Sequence, residues 1–166
     1  MVYFWDMNRP IEPIRVEKVG HEANFAMRYH WDPSARLIAV GGADKALCIL
    51  DPRKSGKSMI WRYRLAHNDY IRDVSWHPYI PYWLTTAGDD YAVQIFDVRH
   101  DSRPVLSLAQ HHGGSVNSIA WSNSHCDFLA TASSDRQFRL WQLRPTKSEL
   151  TGQREVSGEA LVESTP

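Results

Sequence analysis

The sequence predicts an all-β fold in which one small unit is repeated about three times. Trp31, Trp76 and Trp121 recur at intervals of 45 residues, which is the first observation behind this prediction. The second is that short runs rich in Val, Ile, Thr and aromatic residues alternate with Asp, Gly, Pro, Asn and Ser, the pattern of strands separated by turns. A period of about 40 to 50 residues is typical of arrays whose units pack on their neighbours.

Each unit is predicted to be a four-stranded antiparallel meander. The second copy supplies three strand-like runs in AHNDYIRDVSWHP, YWLTTAGDD and AVQIFD, and the third supplies them in QHHGGSVNSIAWS, FLATASSD and QFRLWQ. A fourth strand is expected between copies, where apolar residues do not follow a helical spacing. The fourth strands fall at 14–19, 58–65 and 104–109, and the units at 14–53, 58–99 and 104–144. An orphan strand at 2–6 precedes the units, and a polar, disordered tail is predicted at 145–166.

Three further residue types recur in phase with the tryptophans. A histidine opens each copy, an aspartate occupies the last turn, and an apolar residue follows six positions after the aspartate. The members of these sets are His21, His67 and His112, then Asp44, Asp90 and Asp135, then Leu50, Phe96 and Trp141.

This combination of residues resembles the WD-repeat family. The resemblance covers residues 1–144 and implies a β-propeller, whose four-stranded blades stack around a central channel. The dipeptide that gives the family its name is complete in Trp5-Asp6, becomes Phe96-Asp97 in the second copy, and is half kept in Leu50-Asp51 and Trp141-Gln142.

The resemblance also implies a hydrogen-bonded network inside each blade, joining the His, a Ser or Thr, the turn Asp and the Trp. The third copy has all four members, the second lacks the indole N–H because Phe96 replaces Trp, and the first keeps only its His and Asp. We therefore expect the third blade to be the best ordered and the first to depend on packing. The network residues are His112, Thr131, Asp135 and Trp141, then His67, Thr86 and Asp90, with Val40 and Leu50 in the vacant positions of the first copy.

The chain is too short to close such a ring. At 166 residues it holds just over three units, whereas propellers have about four to eight blades. We expect it to be the C-terminal part of a longer propeller, because it opens inside a strand and closes in a polar stretch. Three blades would leave open apolar flanks, so we expect the isolated chain to associate or to be poorly soluble.

Composition argues against several classes of partner and location. The net charge is zero and the pI is about 7.1, so nothing draws the chain to nucleic acid over a distance. No apolar run reaches the length of a membrane span, and no signal peptide is evident. Cys48 and Cys126 fall in unrelated places, which favours a reducing compartment. We expect the cytoplasm, with the nucleus as the alternative.

The reactive residues each have an explanation that involves no catalysis. His111 is adjacent to a network histidine and lacks metal-ligand spacing, while Asp89 precedes the turn Asp that the repeat requires. Gly113-Gly114 lacks the Lys of a phosphate loop, and Ser124 and His125 have no further partner at a suitable spacing. We predict no catalytic residue, metal, cofactor or small-molecule substrate.

The resemblance implies a protein-binding surface at the narrow end of the propeller. There the family exposes the residues three and five after the His and the residue before the turn Asp. Tyr and Arg are enriched at binding hot spots, which favours the second copy. The candidates are Tyr70, Arg72 and Asp89, then Ser115, Asn117 and Ser134, with Phe25, Met27 and Ala43 for the first copy counted back from Trp31.

A second candidate surface lies on the broad side. Asp51-Pro52-Arg53 and Asp97-Val98-Arg99 resemble the tandem endings with which some WD-repeat proteins dock as substrate receptors on cullin-RING ubiquitin ligases. Neither copy has the Trp that precedes this Asp in the motif. Asp51, Arg53, Asp97 and Arg99 are therefore candidate ligase-docking residues.

Within the family, residues 66–136 resemble members that bind endosomal and Golgi-associated retrograde tethering complexes. The shared points include Arg72-Asp73, Gly88-Asp89-Asp90 and Ser124-His125, and peroxisomal import receptors of this fold share part of them. The sequence therefore predicts a non-catalytic scaffold for protein assembly, in vesicle tethering and trafficking. A ligase substrate receptor and a peroxisomal import receptor are the alternatives.

Overall fold

The computed structural model describes residues 1–9, 11–20, 23–54, 58–100, 103–109, 111–147 and 154–163. All the regular secondary structure in these ranges consists of β-strands, which confirms the all-β prediction. Within the same residues no helix is long and apolar enough to cross a membrane. His21, which the sequence assigns to the first network, lies outside the described residues.

The strands form three antiparallel sheets of four, here called blades 1 to 3, and one sheet of two. The two-stranded sheet pairs β1 (Val2–Phe4) with β2 (Arg15–Glu17). Blade 1 contains β3 (Asn24–Tyr29), β4 (Ile38–Gly42), β5 (Leu47–Leu50) and β6 (Met59–Tyr63). Blade 2 contains β7 (Ile71–Trp76), β8 (Trp83–Gly88), β9 (Val93–Asp97) and β10 (Leu106–Leu108). Blade 3 contains β11 (Val116–Trp121), β12 (Phe128–Ser133), β13 (Phe138–Lys147) and β14 (Arg154–Glu163).

The core lies between successive blades. The first strands of the blades are neighbours, so that β3 contacts β7 and β7 contacts β11. Strands β4, β5 and β8 are buried along their whole length, because both faces of each are covered. Gly41 shows how closely the blades approach: a Cβ built there would come within 2.5 Å of the Ile71 Cγ2 atom in blade 2.

Asp73 links blade 2 to both of its neighbours. Its carboxylate accepts the backbone N–H of Ile119 in blade 3 at 3.0 Å and lies 3.4 Å from the Arg28 guanidinium of blade 1. It also accepts the N–H of Val74 at 2.9 Å. One mostly buried carboxylate therefore contacts all three blades.

The register of blade 1 differs from the one that the tryptophan spacing predicts. Tyr29 pairs with Ile38 as Trp76 pairs with Leu84, so Tyr29 and not Trp31 occupies the strand-end position. Between these paired positions the connection of blade 1, residues 30–37, is one residue longer than that of blade 2, residues 77–83. Trp31 lies within this connection, two residues past Tyr29, so counting back from Trp31 misplaces the first copy by two residues.

Residues 154–163, which belong to the predicted disordered tail, form a strand instead. Strand β14 pairs with β13 from Arg139↔Glu163 to Lys147↔Arg154. Without it, the outer edge of β13 would have unpaired backbone groups, and polar residues on an outermost strand are compatible with pairing. Beyond Gln142, where its pairing with β12 ends, β13 pairs only with β14.

Candidate functional site

Blade 3 contains a hydrogen-bonded chain of four side chains. The Trp141 indole N–H donates to the Thr131 hydroxyl oxygen at 3.0 Å, and that hydroxyl lies 2.8 Å from His112 Nε2. His112 Nδ1 lies 2.9 Å from the Asp135 carboxylate, which can only accept, so Nδ1 carries the proton. The structure thus joins the four residues that the WD-repeat resemblance groups together.

Blade 2 contains the same hydrogen-bonded network, but without the tryptophan indole. His67 bridges the Asp90 carboxylate at 2.8 Å and the Thr86 hydroxyl at 2.7 Å. Phe96 is buried at the position of the Trp and contacts the ring of Tyr63 at a centroid distance of 5.1 Å. Aromatic packing therefore replaces a hydrogen bond in this blade.

Blade 1 uses different contacts. Asp44 forms an ion pair with Arg62 at 2.6 Å and lies 3.3 Å from the backbone N of Ala46. Val40 and Leu50 are buried in an apolar cluster together with Cys48, whose thiol pKa is raised by burial to about 11. Among the described residues of blade 1, apolar side chains thus stand at the positions of the Thr and the Trp, and the turn Asp forms an ion pair.

The network aspartates are held in their charged form. Burial alone would raise the pKa of Asp135, but hydrogen bonds from the Gly113 N–H, His112 and the Gln137 N–H hold that pKa well below its usual range. Burial likewise opposes ionisation of Asp90, and the bond to His67 is the main cause of its lowered pKa. Both carboxylates are thus committed to structural hydrogen bonds.

Four narrow-face candidates from blades 1 and 2 form one compact group, which we call the narrow-face patch: Phe25, Tyr70, Arg72 and Asp89. The Arg72 guanidinium binds Asp89 with two hydrogen bonds, of which Nε to Oδ1 measures 2.7 Å. It also lies 5.2 Å from the centre of the Phe25 ring, which is 5.5 Å from the Tyr70 ring. Phe25 is 44% exposed and Tyr70 is 40% exposed. The patch therefore crosses the boundary between two blades and presents aromatic surface beside a fixed cation.

The charges of the narrow-face patch stabilise each other. The bond from Arg72 is the largest cause of the lowered pKa of Asp89, with the Ser115 hydroxyl of blade 3 as a second donor. Asp89 in turn raises the pKa of Arg72. Because the Arg72 guanidinium is held on two sides, its geometry is set before any partner arrives.

The blade 3 candidates are more polar. The Asn117 side-chain amide donates to the Ser134 hydroxyl at 2.8 Å, and both residues are exposed. Ser115 contacts Asp89 and thereby joins the edge of the patch. These three residues extend the surface without adding aromatic area.

Met27 does not belong to this face. Phe25 lies at the bulge of β3, as Arg72 does in β7, so Phe25 is the equivalent of Arg72. Met27 pairs with Val40 as Val74 pairs with Thr86, two residues farther along the strand. The sequence assignment of Met27 is therefore corrected: Trp31, from which it was counted, lies in the connection after β3, two residues past the strand end.

The candidate ligase-docking arginines bind the aspartates of their own motifs. Arg53 binds Asp51 through Nε and Nη2 at 2.8 Å each, and Arg99 binds Asp97 at 2.9 and 2.6 Å. The Arg99 guanidinium also stacks on the Tyr82 ring at 3.4 Å. The bond from Arg53 lowers the pKa of Asp51 to about 2. Both arginine side chains remain about half exposed, at 50% and 54%.

The candidate reactive groups point to separate partners. Asp89 binds Arg72 whereas Asp90 binds His67, so the two carboxylates do not converge on one site. The His111 ring packs edge-on against Trp141 at 5.0 Å. Within the described part of the chain, no group of three or more His, Cys, Asp or Glu residues is arranged to hold a metal ion.

Sequence reasoning missed the interblade role of His77. Its Nδ1 accepts the N–H of Ile80 at 2.9 Å, and its Nε2 donates to the carbonyl of Cys126 in blade 3 at 2.8 Å. Its own carbonyl accepts the Trp31 indole N–H at 2.8 Å. Only the repeated His30 and His77, at the start of corresponding connections, could have signalled this role.

Comparison with known proteins agrees with this geometry. The family model described as "WD domain, G-beta repeat" matches residues 60–97 and 102–142. These ranges include all the network residues of blades 2 and 3, and of blade 1 they include only part of its last strand, β6.

The curated relatives include proteins with two kinds of name. The chain is 32% identical over 123 residues to "EARP-interacting protein homolog" of Gekko japonicus, which is 74% of this chain and 31% of that protein. It has the same identity and coverage with "EARP and GARP complex-interacting protein 1" of Rattus norvegicus. It is 27% identical over 147 residues to "Ribosome biogenesis protein WDR12 homolog" of Drosophila simulans, covering 89% of this chain and 33% of that protein.

The chain spans about a third of the length of each of these relatives. The matched repeats, the four-stranded sheets and the His–Thr–Asp networks lead to the same conclusion. The chain belongs to the WD-repeat family and carries part of a WD-repeat propeller.

Proposed function

We propose that this chain is a non-catalytic scaffold that binds a protein partner through the narrow-face patch. The observation that carries the proposal is the arrangement of Arg72, which is bound by Asp89 and lies over the half-exposed ring of Phe25, next to the ring of Tyr70. Aromatic residues and arginine are the side chains most enriched at binding hot spots. A partner that covers them gains apolar contact without having to order the guanidinium first.

The partners that we propose are subunits of vesicle-tethering complexes at endosomes or the Golgi, met from the cytoplasm. Support comes from relatives whose names state an interaction with EARP and GARP complexes, and which are more similar in sequence than the ribosome biogenesis relatives. A role in ribosome assembly is the competing candidate, because those relatives match a larger share of this chain.

The patch can be tested by replacing Tyr70 and Arg72 together with alanine. Both side chains are substantially exposed, so we expect the melting temperature to stay nearly constant. We expect partner binding to weaken by about 2 kcal/mol, or roughly thirtyfold in affinity, if both are hot spots. Tyr79→Ala, which removes a half-exposed tyrosine at the opposite end of blade 2, is the matched control and should bind normally.

The measurement is affinity purification of the chain and its variants, with the captured proteins identified. Loss of tethering-complex subunits in the double variant alone supports the proposal. Capture of ribosome-assembly factors instead would move the function to the competing candidate. A large fall in melting temperature with capture intact would show that the two residues serve folding and that the partner docks elsewhere.

A further inference from the structure

A groove of about 310 Å³ crosses the three blades at the end of the first strands, on the side opposite the narrow-face patch. Trp31, Pro78 and Asn123 line it, and each is the second residue of the connection that follows the first strand of its blade. The groove is therefore built from one repeated position, filled by a different residue in each copy.

Trp31 is the largest exposed group in this set. It is 49% exposed, although Trp76 and Trp121, which end their strands, are almost fully buried. Its indole N–H is already bound to the His77 carbonyl, and its ring stacks on His30 at 5.4 Å and 27°. Because the N–H is used, what Trp31 offers to a ligand is a fixed apolar ring surface.

Arg28 is the one charged side chain among the described residues that line the groove. Its side chain is 55% exposed, and its contacts with Asp73 and with the Val74 carbonyl are long, at 3.4 and 3.3 Å. Asp73 also accepts the backbone N–H groups of Val74 and Ile119. The guanidinium therefore keeps donors for an external acceptor.

We propose that this groove binds an extended acidic peptide, which places a carboxylate on Arg28 and an adjacent apolar side chain on the ring of Trp31. The volume suits a few residues of peptide, and the charge complementarity selects an acid. Pro78 and Asn123 form the continuation of the groove across blades 2 and 3. This site is separate from the narrow-face patch and does not depend on it.

The probe is a library of random short peptides displayed on phage, selected on the chain and depleted on the Arg28→Gln, Trp31→Asn double variant. Asparagine is the residue that blade 3 carries at the position of Trp31. We expect the enriched peptides to share an Asp or Glu next to a bulky apolar residue. A synthetic peptide of that sequence should bind the chain about tenfold more tightly than either single variant.

Two controls separate binding from folding. Phe25→Ala, on the opposite face, should bind the peptide as the unmodified chain does, and the peptide with Asn in place of its acid should bind about tenfold more weakly. Thermal melts establish that the variants are folded. If Trp31→Asn is not folded, peptide binding to Arg28→Gln alone tests the proposal, because Arg28 is more than half exposed and its replacement should not disturb folding.

The proposal is overturned if no peptide is selected by the unmodified chain that is not also bound by the double variant. It is also overturned if the enriched sequences are proline-rich or basic and lack an acid. It is equally overturned if the acidic peptide binds Arg28→Gln as tightly as it binds the unmodified chain.

Discussion

Replacing Asp135 with alanine should destabilise the chain more than the same change at Asp44. Asp135 accepts hydrogen bonds from His112 Nδ1, from the Gly113 N–H and from the Gln137 N–H, each at 2.9 Å. Water can reach the two backbone groups, because Gly113 is exposed and Gln137 is partly exposed, but the His112 ring is buried. The variant therefore leaves one buried donor without an acceptor, at a cost of about 1–3 kcal/mol.

The same change at Asp44 breaks its ion pair with Arg62, which is about one-third exposed, so water can solvate the guanidinium once the carboxylate is gone. A surface ion pair of this kind contributes about 1 kcal/mol or less. We expect the Asp135 variant to melt several degrees lower than the Asp44 variant, at about 2–4 °C per kcal/mol for a chain of this size.

The assay is thermal and urea unfolding of the chain and its two variants, followed by circular dichroism. Asp135→Asn is the matched variant, because it keeps the shape of the side chain and removes its charge. Equal losses for Asp135→Ala and Asp44→Ala would refute the argument, because they would mean that the His112 network contributes no more than a surface ion pair.

Three further outcomes are expected. Burial lowers the pKa of His77 below 6.5 in the folded chain, so stability is present above that pH and is lost as the pH falls below it. Melting temperature should therefore drop from about pH 7 to about pH 5, and less steeply in His77→Gln. Gly88→Ala should destabilise blade 2, because a Cβ there would lie 2.7 Å from His67 Nδ1, and loss of stability is read from the melt. Arg53→Ala with Arg99→Ala should leave the melt almost unchanged, and co-precipitation of a ligase adaptor that survives the double change would contradict the docking prediction for these arginines.

The residues that define the fold could be read from the sequence because their spacing repeats. His67, Thr86 and Asp90 recur in phase with His112, Thr131 and Asp135, and in each blade they meet within the same sheet. A periodic pattern reports contacts of this kind, since every copy makes them in the same way.

Contacts between blades were harder to predict. Trp31 lies in the connection after β3, two residues past the strand end that Trp76 and Trp121 occupy in their blades, and the 45-residue spacing of the tryptophans concealed this shift. The pairing of β14 with β13 depends on an edge that exists only once the sheet has formed. The approach of Arg72 to Phe25 requires two blades to be docked, and no local signal in either copy encodes it.

Asp73 makes the unfolding of the three blades mutually dependent. In a linear array, stability is about the sum of unit and nearest-neighbour contributions, so terminal units can fray while the rest stays folded. Asp73 of blade 2 takes part in both of the interfaces between neighbouring blades, because it accepts from the backbone of blade 3 and contacts the guanidinium of blade 1. If blade 1 or blade 3 unfolds, Asp73 loses one of its partners, and the contact that it makes with the remaining blade is weakened. The array is thereby expected to melt in fewer steps than it has blades.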